Sequence, residues 1–270
     1  MLTRKTEKQL GAFFESFEGA VTPLLMLDYD GTLAPFRVDR FKARPWGGVR
    51  ELLTRIQRQG QTRIVVITGR PAEEIAPLLG IEPTPEVWGL HGAERLLPNG
   101  RRNLKHAPPR TKAKLGELHA RLKRDPLGGL FEQKSNAAVM HWRGVPAEKA
   151  RLIEQRTREL FEPLAEMYGL KLLEFEAGLE LRAGPEKGDA VKTLLQETGR
   201  GKQPAAYLGD DFTDEGAFRA IEGRGLGVLV RRERRETAAS IWLRPPEELR
   251  IFLTRWSRAC RTLRSQRIPA

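Results

Sequence analysis

Four short apolar runs punctuate the chain at 24–27 (LLML), 63–67 (RIVVI), 205–208 (AAYL) and 227–230 (GVLV). Each stops at small or acidic residues, and each is followed by a stretch with helical spacing, the rhythm of βα units in a parallel sheet. A shorter run at 87–90 precedes His91-Gly92. Helices are predicted over 46–59, 71–79, 187–198, 213–222 and 246–264. The pattern predicts an α/β fold with a doubly wound parallel sheet. Residues 1–20 have the spacing of an amphipathic helix with no chemistry attached to it.

The stretch 105–183 breaks this rhythm. It reads as a basic helix (110–124), two strands (129–134 and 137–143), a helix (147–167) and two more strands (170–175 and 178–183). This αββαββ order predicts a small antiparallel sheet with two helices, inserted into the parallel domain as an α/β cap. Pro108-Pro109 and Gly184-Pro185 are the candidate linkers at its ends. The expected organisation is a core from 1–104 and 184–270 and an inserted domain from 105–183.

Composition narrows the setting. The 270 residues are 40% hydrophobic and 30% charged, enough for a real core and for one large or two modest domains. No run of some 20 apolar residues is present, as a membrane-spanning helix would need. Cys260 is the single cysteine, which excludes an internal disulfide or a multi-thiolate metal site. The first residues, MLTRKTEKQL, lack the apolar region of a secretory signal, so the expected location is the cytoplasm. Lys and Arg number 47 against 35 Asp and Glu, a net charge of +12. Such a field attracts nucleic acid, anionic lipid or phosphorylated small molecules alike. The densest basic stretches, 231–235 and 255–267, also fit solvated helix faces.

Ligands of an open parallel sheet sit at the carboxyl ends of its strands, so the residues just past each run carry the candidate chemistry. Asp28-Tyr29-Asp30-Gly31-Thr32 puts two carboxylates about one turn apart. Asp-Gly is also a common turn at a strand exit. Two such carboxylates repel each other and stay ionised at low cost only with a cation or a proton between them, which points to metal binding or acid/base work. Thr68-Gly69-Arg70-Pro71 ends the second run, and Pro71 with Glu73 and Glu74 is equally a helix start. In Gly209-Asp210-Asp211-Phe212-Thr213-Asp214-Glu215, Thr213 or Asp214 suits a helix cap. Three aspartates in five residues exceed what a cap requires, and hard oxygen donors at a strand end suit Mg²⁺. Lys187 opens a predicted helix, where its charge opposes the helix dipole. A phosphate oxygen there would remove the conflict, and an exposed lysine would tolerate it.

In chain order, DxDGT, the threonine after the second strand, a lysine at a helix start and GDDxxD resemble the haloacid dehalogenase superfamily of phosphohydrolases, across the whole parallel domain. LDYDGTLAPF, ITGR, GLHGAE, FEQKSNAAVMHWR and LGDDFTDEGAF are similar to the trehalose-6-phosphate phosphatase family, whose inserted cap matches 105–183 in position and order. Where that family shows Glu-x-Arg-Pro before the motif lysine, this chain reads Glu180-Leu181-Arg182-Ala183-Gly184-Pro185.

The resemblance implies Mg²⁺-dependent hydrolysis of a sugar phosphate monoester, trehalose 6-phosphate first, through an aspartyl phosphate. In that scheme Asp28 attacks phosphorus, Asp30 protonates the leaving oxygen and later deprotonates water, and Thr68 and Lys187 hold phosphoryl oxygens. Asp28, Asp210 and Asp30, the last through its main chain, would hold Mg²⁺, with Asp211 and Asp214 supporting or capping. Substrate contacts are expected from Gly69, Arg70 and His91, and sugar contacts from Lys134, Asn136, His141 and Glu180 of the cap. A phosphatase of another sugar phosphate, of the sucrose-phosphate or mannosyl-phosphoglycerate type, is the alternative. A nucleic-acid-binding or regulatory protein on the same fold is a more distant one, because the 231–235 run has no interleaved aromatics for base stacking. The expected partner is therefore a small sugar phosphate, with no specific nucleic acid and no membrane.

Overall fold

The computed structural model describes residues 2–105, 108–134, 136–175, 177–199 and 203–267, with side chains described as far as residue 263. Ser135 of the FEQKSNAAVMHWR segment and the side chains at the end of the basic tail lie outside the described residues. In chain order the elements are α1 (Arg4–Glu15), β1 (Leu24–Leu27), α2 (Val49–Gln59), β2 (Arg63–Ile67), α3 (Ile75–Leu79), β3 (Glu86–Gly89), β4 (Glu94–Leu96) and β5 (Arg102–Leu104). Then come α4 (Pro109–Lys123), β6 (Phe131–Lys134), β7 (Ala137–His141), α5 (Ala147–Tyr168), β8 (Lys171–Phe175) and β9 (Gly178–Arg182). The chain closes with α6 (Lys187–Glu197), β10 (Ala205–Gly209), α7 (Glu215–Ile221), β11 (Leu226–Val230), β12 (Ile241–Leu243) and α8 (Glu247–Arg267). Two compact units result: Met1–Leu104 with Glu186–Asp210 and Asp214–Ala270, and Lys105–Pro185 with Asp211–Thr213.

The first unit is built on a sheet in the order β12-β11-β10-β1-β2-β3-β4-β5. Its strands run parallel except β4, which pairs antiparallel with both β3 and β5 near one edge. The continuous apolar runs have a simple cause: alternate residues of each strand enter different cores. Leu25, Leu27, Val66, Leu208 and Val228 join the side chains of α2, α3 and α8, while Leu24, Met26, Val65, Tyr207 and Leu229 join those of α6 and α7. Central β1 lies between β2 and β10, so the chain order reverses across it. Its carboxyl end is a topological switch point, the place where such sheets bind ligands.

Several boundaries differ from the sequence pattern for local reasons. The predicted helix 46–59 begins only at Val49, because Gly48 takes a left-handed φ of 84°. The predicted 71–79 helix is a single 3₁₀ turn, Ala72–Glu74, followed by the short α3. The strand expected at 87–90 starts and ends one residue earlier. Strands β4, β5 and β12 escaped the pattern altogether: each has three residues, and β5 exposes every side chain. Runs of three residues are too short to be read as strands, even the apolar Ile241-Trp242-Leu243.

In the second unit the antiparallel order is β6-β7-β9-β8. Ala138, Met140, Leu179 and Leu181 form its buried face, packed on Leu115, Leu118 and Leu122 of α4 and on Ile153 and Phe161 of α5. His119 of α4 bonds through Nε2 to the Ala137 carbonyl at 3.0 Å, and burial lowers its pKa against that bond. No helix among the described residues is long and apolar enough to cross a membrane.

Helix α1 packs its aromatic face on α8. Phe17 meets Trp256 edge-on, centroids 4.9 Å apart, with Phe13, Phe14 and Phe252 around them. The Trp256 indole N–H donates to Thr62 Oγ1 at 2.9 Å. Trp256→Ala is expected to destabilise the protein by about 3–5 kcal/mol in urea unfolding. Arg255→Ala, which removes only the partly exposed pair with Glu7, is expected to cost less than about 1 kcal/mol. Equal losses in the two variants would contradict this assignment of the helix-to-helix anchor.

Candidate active site

The chemistry expected past β1, β2 and β10 is gathered at one edge of the first unit. Asp28 leaves β1 with its N–H bonded to the Leu208 carbonyl at 2.8 Å, and a tight turn follows in which Leu33 and Ala34 N–H both reach the Tyr29 carbonyl. Gly31 makes that turn with φ 86°. A Cβ at this position would stand 2.0 Å from Asp210 Oδ2, so only glycine lets Asp210 lie against the loop.

Lys187 is the first residue of α6, whose start is secured by a capping box between Glu186 and Asp189. Its ammonium, 3% exposed with its residue, donates to Asp28 Oδ1 at 2.7 Å and to Asp214 Oδ1 at 2.7 Å. The conflict with the helix dipole is thus met by two carboxylates. Asp214 also accepts from the Tyr207 hydroxyl at 2.5 Å and from the Asp210 N–H at 2.9 Å. Carboxylate oxygens of Asp28, Asp210 and Asp214 all lie within 4.8 Å of one another.

Three buried carboxylates against one ammonium leave an excess of negative charge out of water, which is costly without a further cation or a proton. The strain shows on Asp28. Burial raises its carboxyl most, Asp214 and Asp30 add to this, and Lys187 opposes it. Burial works against the charge of Lys187, but Asp214 and Asp28 outweigh it and hold the ammonium protonated. Burial, with Asp214 next, pushes the Tyr207 hydroxyl up. Asp28 Oδ2 is buried with no hydrogen-bond partner. An orphaned anionic oxygen among hard donors fits a small divalent cation such as Mg²⁺.

The loop after β2 is pinned by the loop after β3. The His91 N–H donates to the Thr68 carbonyl at 2.8 Å and the Leu90 N–H to the Arg70 carbonyl at 2.9 Å. Leu90 and His91 hold φ values of 50° and 57°, a left-handed pair unusual for side chains of this size and typical of functional loops. The His91 imidazole covers Gly69, where a Cβ would meet Nε2 at 2.5 Å. Glu94, 1% exposed, accepts from the Ala72 N–H at 2.8 Å and fixes the start of the next turn.

Asp30 faces a different partner. Arg70 Nε and Nη2 donate to its two oxygens, each at 2.6 Å. The sequence led to the expectation of Asp28, Asp210 and the Asp30 main chain around the metal, with Asp211 and Asp214 supporting or capping. The carboxylates that the fold gathers are Asp28, Asp210 and Asp214, with the Asp30 side chain gripped by Arg70. Asp211 instead bonds through Oδ1 to the Phe212 N–H at 2.8 Å. Tyr207 had no sequence signal, since it sits inside an apolar strand run, and Glu94 stood out only as the last residue of the GLHGAE segment.

In the second unit, the register of β6, β7 and β9 puts Lys134, His141 and Glu180 on one face of the sheet, opposite the face covered by α4 and α5. Lys134 Nζ donates to Glu180 Oε2 at 3.1 Å, and Arg182 pairs with the other Glu180 oxygen at 2.8 Å. Asn136 Nδ2 donates to the Ala183 carbonyl at 3.3 Å. His141 Nε2 lies 2.8 Å from Glu132 Oε2 and its ring meets Phe175 edge-on.

A doubly wound parallel sheet of this kind is the fold of solved haloacid dehalogenase-like hydrolases. A solved hydrolase of that description from B. subtilis shares the fold, with a TM-score of 0.59, 19% identity and coverage of 86% of this chain and 98% of the other. The trehalose-phosphatase family matches residues 26–244, and the chain belongs to that family of phosphoric monoester hydrolases. A probable trehalose-phosphate phosphatase 3 from Oryza sativa subsp. japonica is 29% identical over 274 residues, covering 90% of this chain and 72% of that protein. The structure of Aspergillus fumigatus trehalose-6-phosphate phosphatase superposes with a TM-score of 0.71 at 24% identity, over 93% of this chain and 97% of the other.

The charge imbalance has a measurable consequence. In metal-free protein the Asp28 carboxyl is raised from its ordinary 3.8 to about 7. A group raised by folding stabilises the fold while protonated, and that stability disappears as pH climbs through the folded value. Unfolding free energy in EDTA is therefore expected to carry an Asp28 component that falls between about pH 4 and pH 7, at up to about 1.4 kcal/mol per pH unit. Asp28→Asn should flatten that component. Superimposable wild-type and variant profiles would refute the assignment.

Proposed function

We propose that the protein hydrolyses trehalose 6-phosphate to trehalose and inorganic phosphate, with Mg²⁺ as its cofactor. The observation that carries this reading is Asp28: one carboxylate oxygen is held by buried Lys187, and the other is left without a partner at the switch point of the sheet. Family membership and the named activities of the rice and Aspergillus relatives support the substrate.

In the first step Asp28 Oδ2 bonds to phosphorus as the phosphorus–sugar-oxygen bond breaks, and Asp30 gives a proton to the departing sugar oxygen. In the second, a water oxygen bonds to phosphorus while Asp30 takes its proton. The bond to Asp28 breaks and inorganic phosphate leaves. Lys187 and Thr68 hold phosphoryl oxygens. Asp28, Asp210 and Asp214, with the main chain of Asp30, would hold Mg²⁺. Bound there, the cation supplies neutralisation of the charge shared by the phosphoryl group and the attacking carboxylate.

Carboxylates, a hydroxyl and an ammonium read only the phosphoryl group, which every monoester shares. Discrimination is assigned to the inserted domain, through Lys134, Asn136, His141 and Glu180. Lys134 and Glu180 lie on one sheet face, paired with each other, and carry the donor and acceptor chemistry that sugar hydroxyls require. The basic charge serves capture of an anionic substrate. Trp256 is fully buried and offers no ring to a nucleic-acid base.

Phosphate release from a panel of phosphorylated mono- and disaccharides, with Mg²⁺ and with EDTA, tests the reading. Trehalose 6-phosphate should be the preferred ester, EDTA should abolish turnover, and Asp28→Asn should lower kcat by about 10⁴-fold or more. Lys134→Ala and Glu180→Ala should reduce kcat/KM for the disaccharide ester by about 10–150-fold, equivalent to ~1–3 kcal/mol per lost hydrogen bond. Both variants should spare p-nitrophenyl phosphate. Preference for another sugar phosphate would move the substrate, and full activity in EDTA would remove the metal.

A further inference from the structure

We infer that Arg70 is a positioning residue for the proton-transferring carboxylate of Asp30, not a clamp for the substrate's phosphate. The inference rests on the mechanism proposed above and adds a residue to it.

The guanidinium is committed on every nitrogen. Nε and Nη2 bind the two Asp30 oxygens, each at 2.6 Å, and Nη1 donates to the Arg40 carbonyl at 2.8 Å. Glu74 Oε2 lies 3.7 Å from Nη1, and the Tyr29 ring lies beside the guanidinium carbon at 5.8 Å. The side chain is only 8% exposed, against 26% for Asp30. Both ends of the Arg70 backbone are tied as well, its N–H to Thr68 Oγ1 at 3.2 Å and its carbonyl to the Leu90 N–H at 2.9 Å. Arg40, whose carbonyl receives Nη1, is itself paired with Glu74 through its side chain. Arginine and its surroundings thus form a rigid fork, and Asp30 is the more exposed group that the fork holds.

A bidentate fork fixes the plane and position of a carboxylate in a way that a point charge cannot. With both oxygens engaged, Asp30 is held as the acceptor needed for the second step, where it receives the proton of the attacking water. Donation to the sugar oxygen in the first step requires one of the two bonds to open. Arg70 is therefore expected to matter most for breakdown of the phosphorylated enzyme: water oxygen to phosphorus, proton to Asp30, and cleavage of the bond to Asp28.

Rapid-quench kinetics with p-nitrophenyl phosphate and with the sugar phosphate, read as phosphorylated protein and as product, test this on the full chain with Mg²⁺. For Arg70→Ala we expect kcat to fall by on the order of 10²-fold, within the range of general acid–base catalysis, with KM nearly unchanged. A stoichiometric burst of p-nitrophenol and accumulated phosphoenzyme should accompany that fall. Arg70→Lys should share the defect, since one ammonium does not hold both oxygens, and its thermal unfolding reports whether the fold survives. Restoration of wild-type kinetics by Arg70→Lys overturns the inference. So does a rise in KM at unchanged kcat, which marks a phosphate clamp, or a loss of kcat without phosphoenzyme. Asp30→Asn separates the two levels. If it traps phosphate on Asp28 and Arg70→Ala does not, the inference alone fails; if no variant ever carries phosphate, the proposed mechanism fails with it.

Discussion

The rest of the site depends on one buried arrangement, the Lys187 ammonium shared between Asp28 and Asp214 at the carboxyl end of β1. A lone buried carboxylate is prohibitively expensive, and an ammonium at a helix start is unfavourable, yet each removes much of the other's cost. The sharing does not balance the charge. Asp210 is drawn in through its N–H bond to Asp214, and the cluster keeps an excess of negative charge. That excess calls for a further cation or a proton, which a balanced structural ion pair would not need.

Geometry around this arrangement is held by backbone rather than by side chains. Gly31 permits Asp210 to approach the loop after β1, and the left-handed Leu90 and His91 clamp the loop after β2 through two N–H bonds. Strained backbone persists only where its surroundings over-determine it. Here the surroundings are β1, β2, β3 and β10, buried side by side. Rigidity at the strand ends fixes Asp28, while Asp30, two residues on, is left at the rim and steadied by Arg70.

The second unit solves a different problem with an antiparallel sheet. One face is committed to the helices α4 and α5, so its apolar residues alternate with charged ones. The opposite face carries Lys134, Glu180 and Arg182 in one chain of ion pairs. Parallel strands, buried on both sides, have no polar face to spare. A sheet covered on one side does.

By itself the sequence determined the architecture. Strands buried on both faces must be apolar at every position, so 24–27, 63–67, 205–208 and 227–230 were legible as βα units, and the break in that rhythm marked 105–183. Asp28, Asp30, Thr68 and Asp210 stood out as candidates because they follow apolar strands, and Lys187 because its charge opposes the dipole of the helix it opens. What tertiary structure alone decided was which charges meet. Asp214 reads as a helix cap in the chain, because its distance from Asp28 and Lys187 in sequence hides their contact in space. Arg70, expected as a substrate contact, is set by the fold against Asp30, forty positions away. Tyr207 gave no signal at all, since a polar residue inside a strand shows its purpose only through the partner it finds. Local pattern follows from burial, which each residue feels in its own neighbourhood; pairing depends on the closure of long loops, which no local pattern encodes.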